Sequence, residues 1–475
     1  MRSLGYRELS RHMLKDLATT IVRTLRQQGF QAHLAGGCVR DLLLHREPAD
    51  YDVATSATPE QVMEVFPDTY AVGAQFGVVL VPYYPVSSLP SMVEPSAGDL
   101  PNVKGTHTVE VATFRSDHGY SDGRHPDEVR FSLDPREDVA RRDFTINGMM
   151  LDPLSGEVLD FVGGRKDLAA GIIRAIGDPQ QRFAEDKLRM LRAVRFAARF
   201  GYEIEAQTLA AIQRFAHEIR VVSRERVRDE LTKMLIEGQA RRAFLLLDEC
   251  GLLQEVLPEI TTMKGVAQPP EFHPEGDVFV HTLLLLENLP HPCPPTLAWG
   301  ALLHDVGKPA TFRVAPDRIR FDNHVEVGVK IAEEICTRLR FSNHDMAQVL
   351  ALVDNHMRFS HATRMSQSTL KKFLRMPGFA EHLALHRADS LASHGNLSTY
   401  EFVQQKLAET PLEKIRPVPF VTGDDLIAAG YAPGPKFREI LEAVEDAQLE
   451  GRLTSHDAAL DFVKSAFPLP AGGSC

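Results

Sequence analysis

The chain has 475 residues, of which 44% are hydrophobic and 25% charged, as in a soluble globular protein of about three domains. It contains no run of about 18 apolar residues, which excludes a membrane-spanning helix, and its start, MRSLGYRELSRHMLKD, lacks the apolar centre of a secretory signal. A formal net charge of −11 argues against a uniformly basic nucleic-acid binder and leaves that role to local basic surface.

Apolar spacing at Leu14, Leu17, Ile21 and Leu25 predicts a helix over 12–29. A short strand, Ala32–Ala35, runs into Gly36-Gly37 and a helical stretch, Val39–Leu44. Strands are expected at Tyr51–Ala54, Val78–Val81, Thr108–Phe114 and Val129–Phe131. Residues 84–106, rich in Pro, Ser and acidic side chains, read as a long surface insertion. From Pro179 the pattern turns helical, and 182–245 holds fourteen Lys/Arg against nine Asp/Glu. A histidine-rich helical region covers about 270–395, and a tail with a turn at Gly430–Pro435 follows. Alternating helix and strand followed by helices alone predicts an α+β fold: a head at 1–175, a helical neck at 176–260, a metal-binding helical body at 261–395 and a helical tail at 396–475.

Gly36-Gly37 between strand and helix lets the backbone approach a phosphate closely, although a tight turn alone has the same signature. Asp50 and Asp52 fall two apart in the expected strand, so period two puts both carboxylates on one face. Two such carboxylates call for a cation, and oxygen ligands beside a phosphate substrate favour Mg²⁺. Glu110 offers a third carboxylate or is an ordinary exposed strand residue. Arg141-Arg142-Asp143 can clamp phosphates and a sugar hydroxyl, or form a surface ion pair. The stretch 185–199 reads as helical throughout, with Asp186 and Arg189 sharing a face that Arg192, Arg195 and Arg199 continue. An acceptor beside a guanidinium on a rigid helix can read a base edge; the other reading is a salt-bridged solvated face.

Together, LAGGCVRD (34–41), DYD (50–52), TFRSDHGYSDGRHPDEVRF (113–131), ARRDFTIN (140–147) and GDPQQRFAEDKLRMLRAVRFAARFGY (177–202) resemble the bacterial-type (class II) CCA-adding enzyme and poly(A) polymerase family, with its polymerase β-like head. The resemblance covers most of 30–260. It implies that Asp50 and Asp52 bind catalytic metals and that Gly37 and Arg40 contact the triphosphate. It implies that Arg142 and Asp143 engage phosphate or sugar. Asp186 and Arg189 would then pair with the base of CTP or ATP, with Arg192 and Arg195 nearby. Residues 113–131 match the segment used in switching from C to A, which disfavours a CC-only enzyme. Gly148 stands where the family usually has Ala, and the 84–106 insertion is atypical.

His281, His304-Asp305 and Asp389 can form one metal site, which His324 and His356 extend to a second. The HPEGDVFVHT run (273–282) and the 430–435 turn resemble the HD module and tail of some family members, implying a possible phosphohydrolase on phosphate ends or cyclic phosphates. The expected partners are tRNA, CTP and ATP, with no membrane. The expected cofactors are Mg²⁺ at the head and an unidentified divalent metal at the HD body. Five scattered cysteines without a CxxC pair suit a reducing cytoplasm.

Overall fold

The computed structural model describes residues 2–71, 77–83, 108–120, 126–271 and 273–469. The expected insertion at 84–106 therefore lies outside the described residues. The chain divides into two compact units, Met1–Met234 with Arg242–Val256, and Leu235–Arg241 with Leu257–Cys475.

The first unit opens with α1 (Arg2–Gln27), which buries Leu14, Ala18, Ile21, Val22 and Leu25 along one stripe. It continues with β1 (Ala32–Ala35), α2 (Gly37–Leu43), β2 (Asp52–Thr55), α3 (Pro59–Val65), β3 (Tyr70–Ala71), β4 (Val78–Pro82) and β5 (Thr108–Thr113). A two-stranded hairpin, β6 (Arg115–His118) and β7 (Glu128–Phe131), precedes α4 (Pro135–Ala140). Then come β8 (Met149–Leu151), β9 (Val158–Asp160), α5 (Gly164–Ala170) and β10 (Ile172–Ile173). Seven strands form one mixed sheet in the order β3-β4-β5-β2-β1-β8-β9, in which β2 and β5 are parallel. Ala35, Ala54, Phe114, Val139 and Met150 make a buried cluster against it. Thr58 caps α3 through a reciprocal box with Gln61, which ends β2 cleanly. A Cβ at Gly148 would stand 2.8 Å from both Ile176 and Val162, so the alanine usual in the family needs those two side chains to move.

Helices α6 (Pro179–Glu185), α7 (Leu188–Phe200), α8 (Ala206–Phe215), α9 (Arg224–Ile236), α10 (Ala240–Glu249) and α11 (Leu252–Val256) follow, with β11 (Glu203–Ile204) paired to β10. The expectation of unbroken helix over 185–199 is corrected here. Asp186 takes an extended conformation (φ −145°, ψ 105°) between α6 and α7. Its carboxylate accepts the Leu188 backbone N–H at 3.0 Å, the local bond by which Asp competes with helix continuation.

The second unit is helical: α12 (Pro258–Thr261), α13 (Val278–Glu287), α14 (Pro295–Leu303), α15 (Lys308–Thr311), α16 (His324–Arg338), α17 (Asn343–Asn355), α18 (Gln367–Leu374) and α19 (Phe379–Ala392). A hairpin of β12 (Phe312–Val314) and β13 (Ile319–Phe321) interrupts it. Helices α13 and α14 are apolar on nearly every side and form its centre, with Trp299 fully buried edge-on to Phe341. The last helices, α20 (Ser398–Glu409), α21 (Leu412–Ile415), α22 (Gly423–Ala428), α23 (Pro435–Leu449) and α24 (His456–Ala466), include a separate core of Val421, Leu426, Ile440, Val444 and Val463.

Candidate active site and metal centre

Strand β2 begins at Asp52. The expectation of a Tyr51–Ala54 strand carrying both carboxylates on one face is thereby corrected: Asp50 lies exposed in the bend before β2. The residue opposite Asp52 is Glu110 of β5. Burial pushes the Asp52 carboxyl up to about 6, and Glu110 and Asp50 push the same way against the Arg142 guanidinium. A carboxylate placed this way gains from a bound cation. Gly36 has φ 76°, and a Cβ there would stand 2.9 Å from Arg142 Nη1 and 3.8 Å from Asp52 Oδ2, so glycine keeps the floor of the site open.

Asp138 of α4, nearly inaccessible, accepts both arginines of the Arg141-Arg142 pair: Arg141 Nη2 at 2.6 Å and Arg142 Nη2 at 2.9 Å. Asp143 serves another arginine. Its Oδ2 accepts Arg192 Nε at 2.9 Å and Nη2 at 2.7 Å, and its Oδ1 accepts the Phe144 N–H and Asn147 Nδ2. Burial alone would raise its pKa; Arg192 and these donors hold it at about 2. Arg40 donates to Asp41 at 2.8 Å and to Asn147 Oδ1 at 2.6 Å, with its guanidinium over the Phe200 ring.

Asp186 Oδ2 accepts Arg226 Nη2 at 2.7 Å, while Arg189 donates to Glu185 at 2.7 Å and to the Arg141 carbonyl at 2.9 Å. Asp186 and Arg189 are thus each held by a neighbour rather than by one another. Arg195 turns inward to Glu230 at 2.7 Å, with side-chain exposures of 7% and 4%.

These residues surround one cavity of about 490 Å³. Gly37, Arg40, Asp52, Arg142, Asp143, Asp186, Arg189, Arg192 and Arg195 all line it; Asp50 does not. Eight arginines line it against three aspartates, and Asp41, Asp138, Glu185 and Glu230 outside the lining pair five of the eight, so guanidinium groups dominate the surface that a phosphate would meet. Asp138 could have been found in the sequence, since it stands three and four residues before the arginines it holds on a helix. Arg226 carried no such signal, being 40 residues from Asp186.

The second unit gathers all six expected metal-ligating residues. Asp305 is at its centre, with His304 Nε2 at 3.1 Å and His281 Nε2 at 4.0 Å from Oδ2, and His356 Nε2 at 3.7 Å and His324 Nε2 at 3.9 Å from Oδ1. Asp389 Oδ1 lies 3.1 Å from His281 Nε2. Every one of these four imidazoles is oriented through Nδ1: His281 to Glu275, His304 to the Ala301 carbonyl, His324 to that of Phe321 and His356 to that of Val353. Each leaves Nε2 buried without an aligned hydrogen-bond partner. Oriented Nδ1 and unpartnered Nε2 is the arrangement of a metal-ligating histidine. His281, His304 and Asp305 form one ligand group and Asp305, His324 and His356 another, so the donors fit two ions sharing Asp305. His304 and Lys308 hold the Asp305 carboxyl well below its ordinary range despite its burial. A Cβ at Gly307 would strike the His324 carbonyl, so only glycine lets α16 approach the His304-Asp305 turn. Glu275, which orients both His273 and His281, was not singled out in the sequence, though it sits six residues before His281 in the 273–282 run.

Comparison with known proteins finds matches in both parts of the chain. Residues 32–174 match the poly A polymerase head domain, 201–264 the probable RNA- and SrmB-binding site of polymerase A, and 280–393 the HD domain. A CCA-adding enzyme of Lactobacillus helveticus (strain DPC 4571) is 37% identical over 57% of this chain, and the match spans 62% of that protein. One of Enterococcus faecalis is 41% identical over 46% of the chain and 48% of the relative. One of Bacillus cytotoxicus is 27% identical over 93% of the chain and 96% of the relative. The structure of the Bacillus stearothermophilus CCA-adding enzyme in complex with CTP is similar over 94% of this chain and 97% of its own, at 26% identity and a TM-score of 0.70. That of the Thermotoga maritima CCA-adding enzyme complexed with tRNA shares the fold at 18% identity and a TM-score of 0.54, over 95% of each chain. Among the described residues no helix is long and apolar enough to cross a membrane. In that order the chain carries regions that match a poly A polymerase head domain, the probable RNA-binding site of polymerase A and an HD domain, and it is similar to CCA-adding enzymes, of which the first relatives are matched over about half to two thirds of their length.

Proposed function

We propose that this protein is a tRNA nucleotidyltransferase that adds C and A residues from CTP and ATP to the tRNA 3′ end and releases pyrophosphate. The observation that carries this reading is the arginine-lined cavity with Asp52 on its floor. The tRNA 3′-hydroxyl attacks the α-phosphate in line, and positioning and charge do most of the catalysis. Gly36-Gly37 lets the triphosphate reach the backbone at the start of α2, and Arg142, braced by Asp138, faces its phosphates. Arg40 adds charge while holding α2 to Asn147. Asp143 and Arg192 act as a pair toward sugar and phosphate. Asp186 and Arg189 read the base edge after exchanging Arg226 and Glu185 for the nucleotide. Asp50 and Asp52, with Glu110 beside them, are the oxygen ligands for Mg²⁺, which when bound neutralises triphosphate charge and activates the attacking hydroxyl. The basic neck holds tRNA phosphates. On this reading the chain divides into head 1–175, neck 176–260, HD body 261–395 and tail 396–475, and it works in the cytoplasm, where its buried free cysteines Cys38, Cys250, Cys293 and Cys336 stay reduced.

The oriented histidines support a second activity, a metal-dependent phosphohydrolase held by His281, His304, Asp305, His324, His356 and Asp389. Two divalent ions there supply an activated water and a clamp on the phosphoryl oxygens.

The test is incorporation of labelled CTP and ATP into tRNA transcripts ending before CCA, after C and after CC. Extension of the first two by CTP and of the third by ATP is expected. Growth of the CC-ended transcript alone, by a single A, replaces the proposal with an A-adding enzyme. Long A tracts replace it with a poly(A) polymerase.

A further inference from the structure

The HD centre lies in a cavity of about 510 Å³, far more room than one phosphate group requires and within the range of nucleotide-sized ligands. One end holds the histidines and Asp305. The β12–β13 hairpin also lines it, through Arg318, Ile319, Arg320 and Phe321, with Asp322 just after it. Lys308 joins the two, with its ammonium 2.6 Å from Asp305 Oδ2 and 5.3 Å above the centre of the Phe321 ring.

The hairpin is tied mechanically to the metal-ligand set. His324 Nδ1 donates to the carbonyl of Phe321, at 3.0 Å, so the residue after Arg320 orients a candidate ligand. Arg320 places Nη2 2.8 Å from Asp317 Oδ2, while its Nε is buried with no acceptor among the described residues. Arg318 shares the same Asp317 loosely, at 3.9 Å. The remaining charges of the hairpin, Arg313 and Asp322, pair with each other at 2.6 Å. One carboxylate therefore serves two arginines, and the wall retains one positive charge. Ion pairs this exposed contribute little and are readily exchanged for a phosphate, which matches a guanidinium bidentately. Phe321, Ile319 and Met357 line the same cavity and offer apolar surface suited to a base or a sugar face.

We propose that Arg318 and Arg320 form a second phosphate subsite of the HD centre, so that its ligand is a nucleotide bearing two phosphate groups rather than a simple phosphomonoester. One phosphate sits at the histidine cluster, the base or sugar lies along Phe321, and the other phosphate meets the hairpin. This rests on the phosphohydrolase reading of that centre. A free nucleoside bisphosphate and an RNA strand ending in a phosphate share the chemistry.

The test uses the full chain and R318A/R320A, with R320K as the conservative variant. Equilibrium binding and hydrolysis are measured for adenosine 3′,5′-bisphosphate, adenosine 3′-monophosphate and a trinucleotide ending in a 3′-phosphate. The head's nucleotide site is present in every protein, so differences between variants report on the hairpin. The wild type should bind the bisphosphate at least tenfold more tightly than the monophosphate. R318A/R320A should lose that preference, mostly in KM, and R320K should keep part of it. A trinucleotide favoured over the free bisphosphate assigns RNA ends as the source, and the reverse assigns free nucleotides. Absence of a bisphosphate preference in the wild type, or its survival in R318A/R320A, overturns the subsite. Arginine-dependent binding without hydrolysis of any probe keeps the subsite and removes the phosphohydrolase reading.

Discussion

Arg195 separates a structural role from a substrate-binding one, and Glu230 is the place to test it. The pair is joined at 2.7 Å with side-chain exposures of only 7% and 4%, so Glu230→Ala leaves a guanidinium buried with its main counter-charge gone. Breaking such a pair from one side costs about 3–5 kcal/mol, whereas replacing both members by apolar residues of similar size is close to neutral. Lys233 also loses a partner, 3.3 Å away, but its side chain is 48% exposed and adds little. The only tryptophan, Trp299, is in the second unit, so its fluorescence does not report on this region. Hydrogen exchange of the amides of α7 and α9 does. At about 1.4 kcal/mol per tenfold, Glu230→Ala should lower their protection by at least two powers of ten. Arg195→Met with Glu230→Leu should recover most of it. A single variant with unchanged protection, or a double variant as damaged as the single, would refute the buried-pair argument. CTP incorporation by the double variant then shows whether Arg195 also meets substrate: a loss in kcat/KM despite restored protection assigns it that role.

Three further outcomes follow from the geometry. Arg226→Ala frees Asp186 from its 2.7 Å partner, a charge-assisted bond worth about 1.5–3 kcal/mol that the nucleotide then no longer displaces, so KM for CTP and ATP should fall about tenfold or more in single-nucleotide assays. The Asp143 carboxyl is held at about 2, below its ordinary 3.8, so its contribution of about 2 kcal/mol is complete above about pH 4 and is lost as pH falls toward 2. Urea unfolding followed by far-ultraviolet circular dichroism should show a penalty for Asp143→Asn near pH 6 that shrinks near pH 3; an equal penalty at both would contradict the assignment. Native mass spectrometry of the wild type should show divalent ions bound at the HD centre that Asp305→Asn loses while CTP incorporation persists, and Asp52→Asn should do the reverse.

Much of this was legible in the residues themselves. The apolar stripe of α1 and the bounds of β1 follow from period and turn chemistry, which are local. The six candidate ligands that the second unit brings together were legible because imidazole and carboxylate chemistry narrows their use. Two local readings failed. Period two puts Asp50 in line with Asp52, but β2 starts only at Asp52 and Asp50 lies in the bend before it. The 185–199 helix was read as continuous, but an Asp that bonds a backbone N–H two residues on breaks it.

The sequence alone determined which residues are candidates for chemistry and the order of the head, neck and HD regions along the chain, because residue type and periodicity are properties of short stretches. Only the tertiary structure decided the partners. Asp138 rather than Asp143 braces Arg142, Asp143 serves Arg192, Arg226 holds Asp186, and Arg195 in the cavity lining pairs with Glu230. Each such pairing is a choice among several arginines and acids of equal chemistry, and sequence spacing does not rank them. Burial does: a charge inside the protein must take the nearest counter-charge the packed helices and strands bring to it.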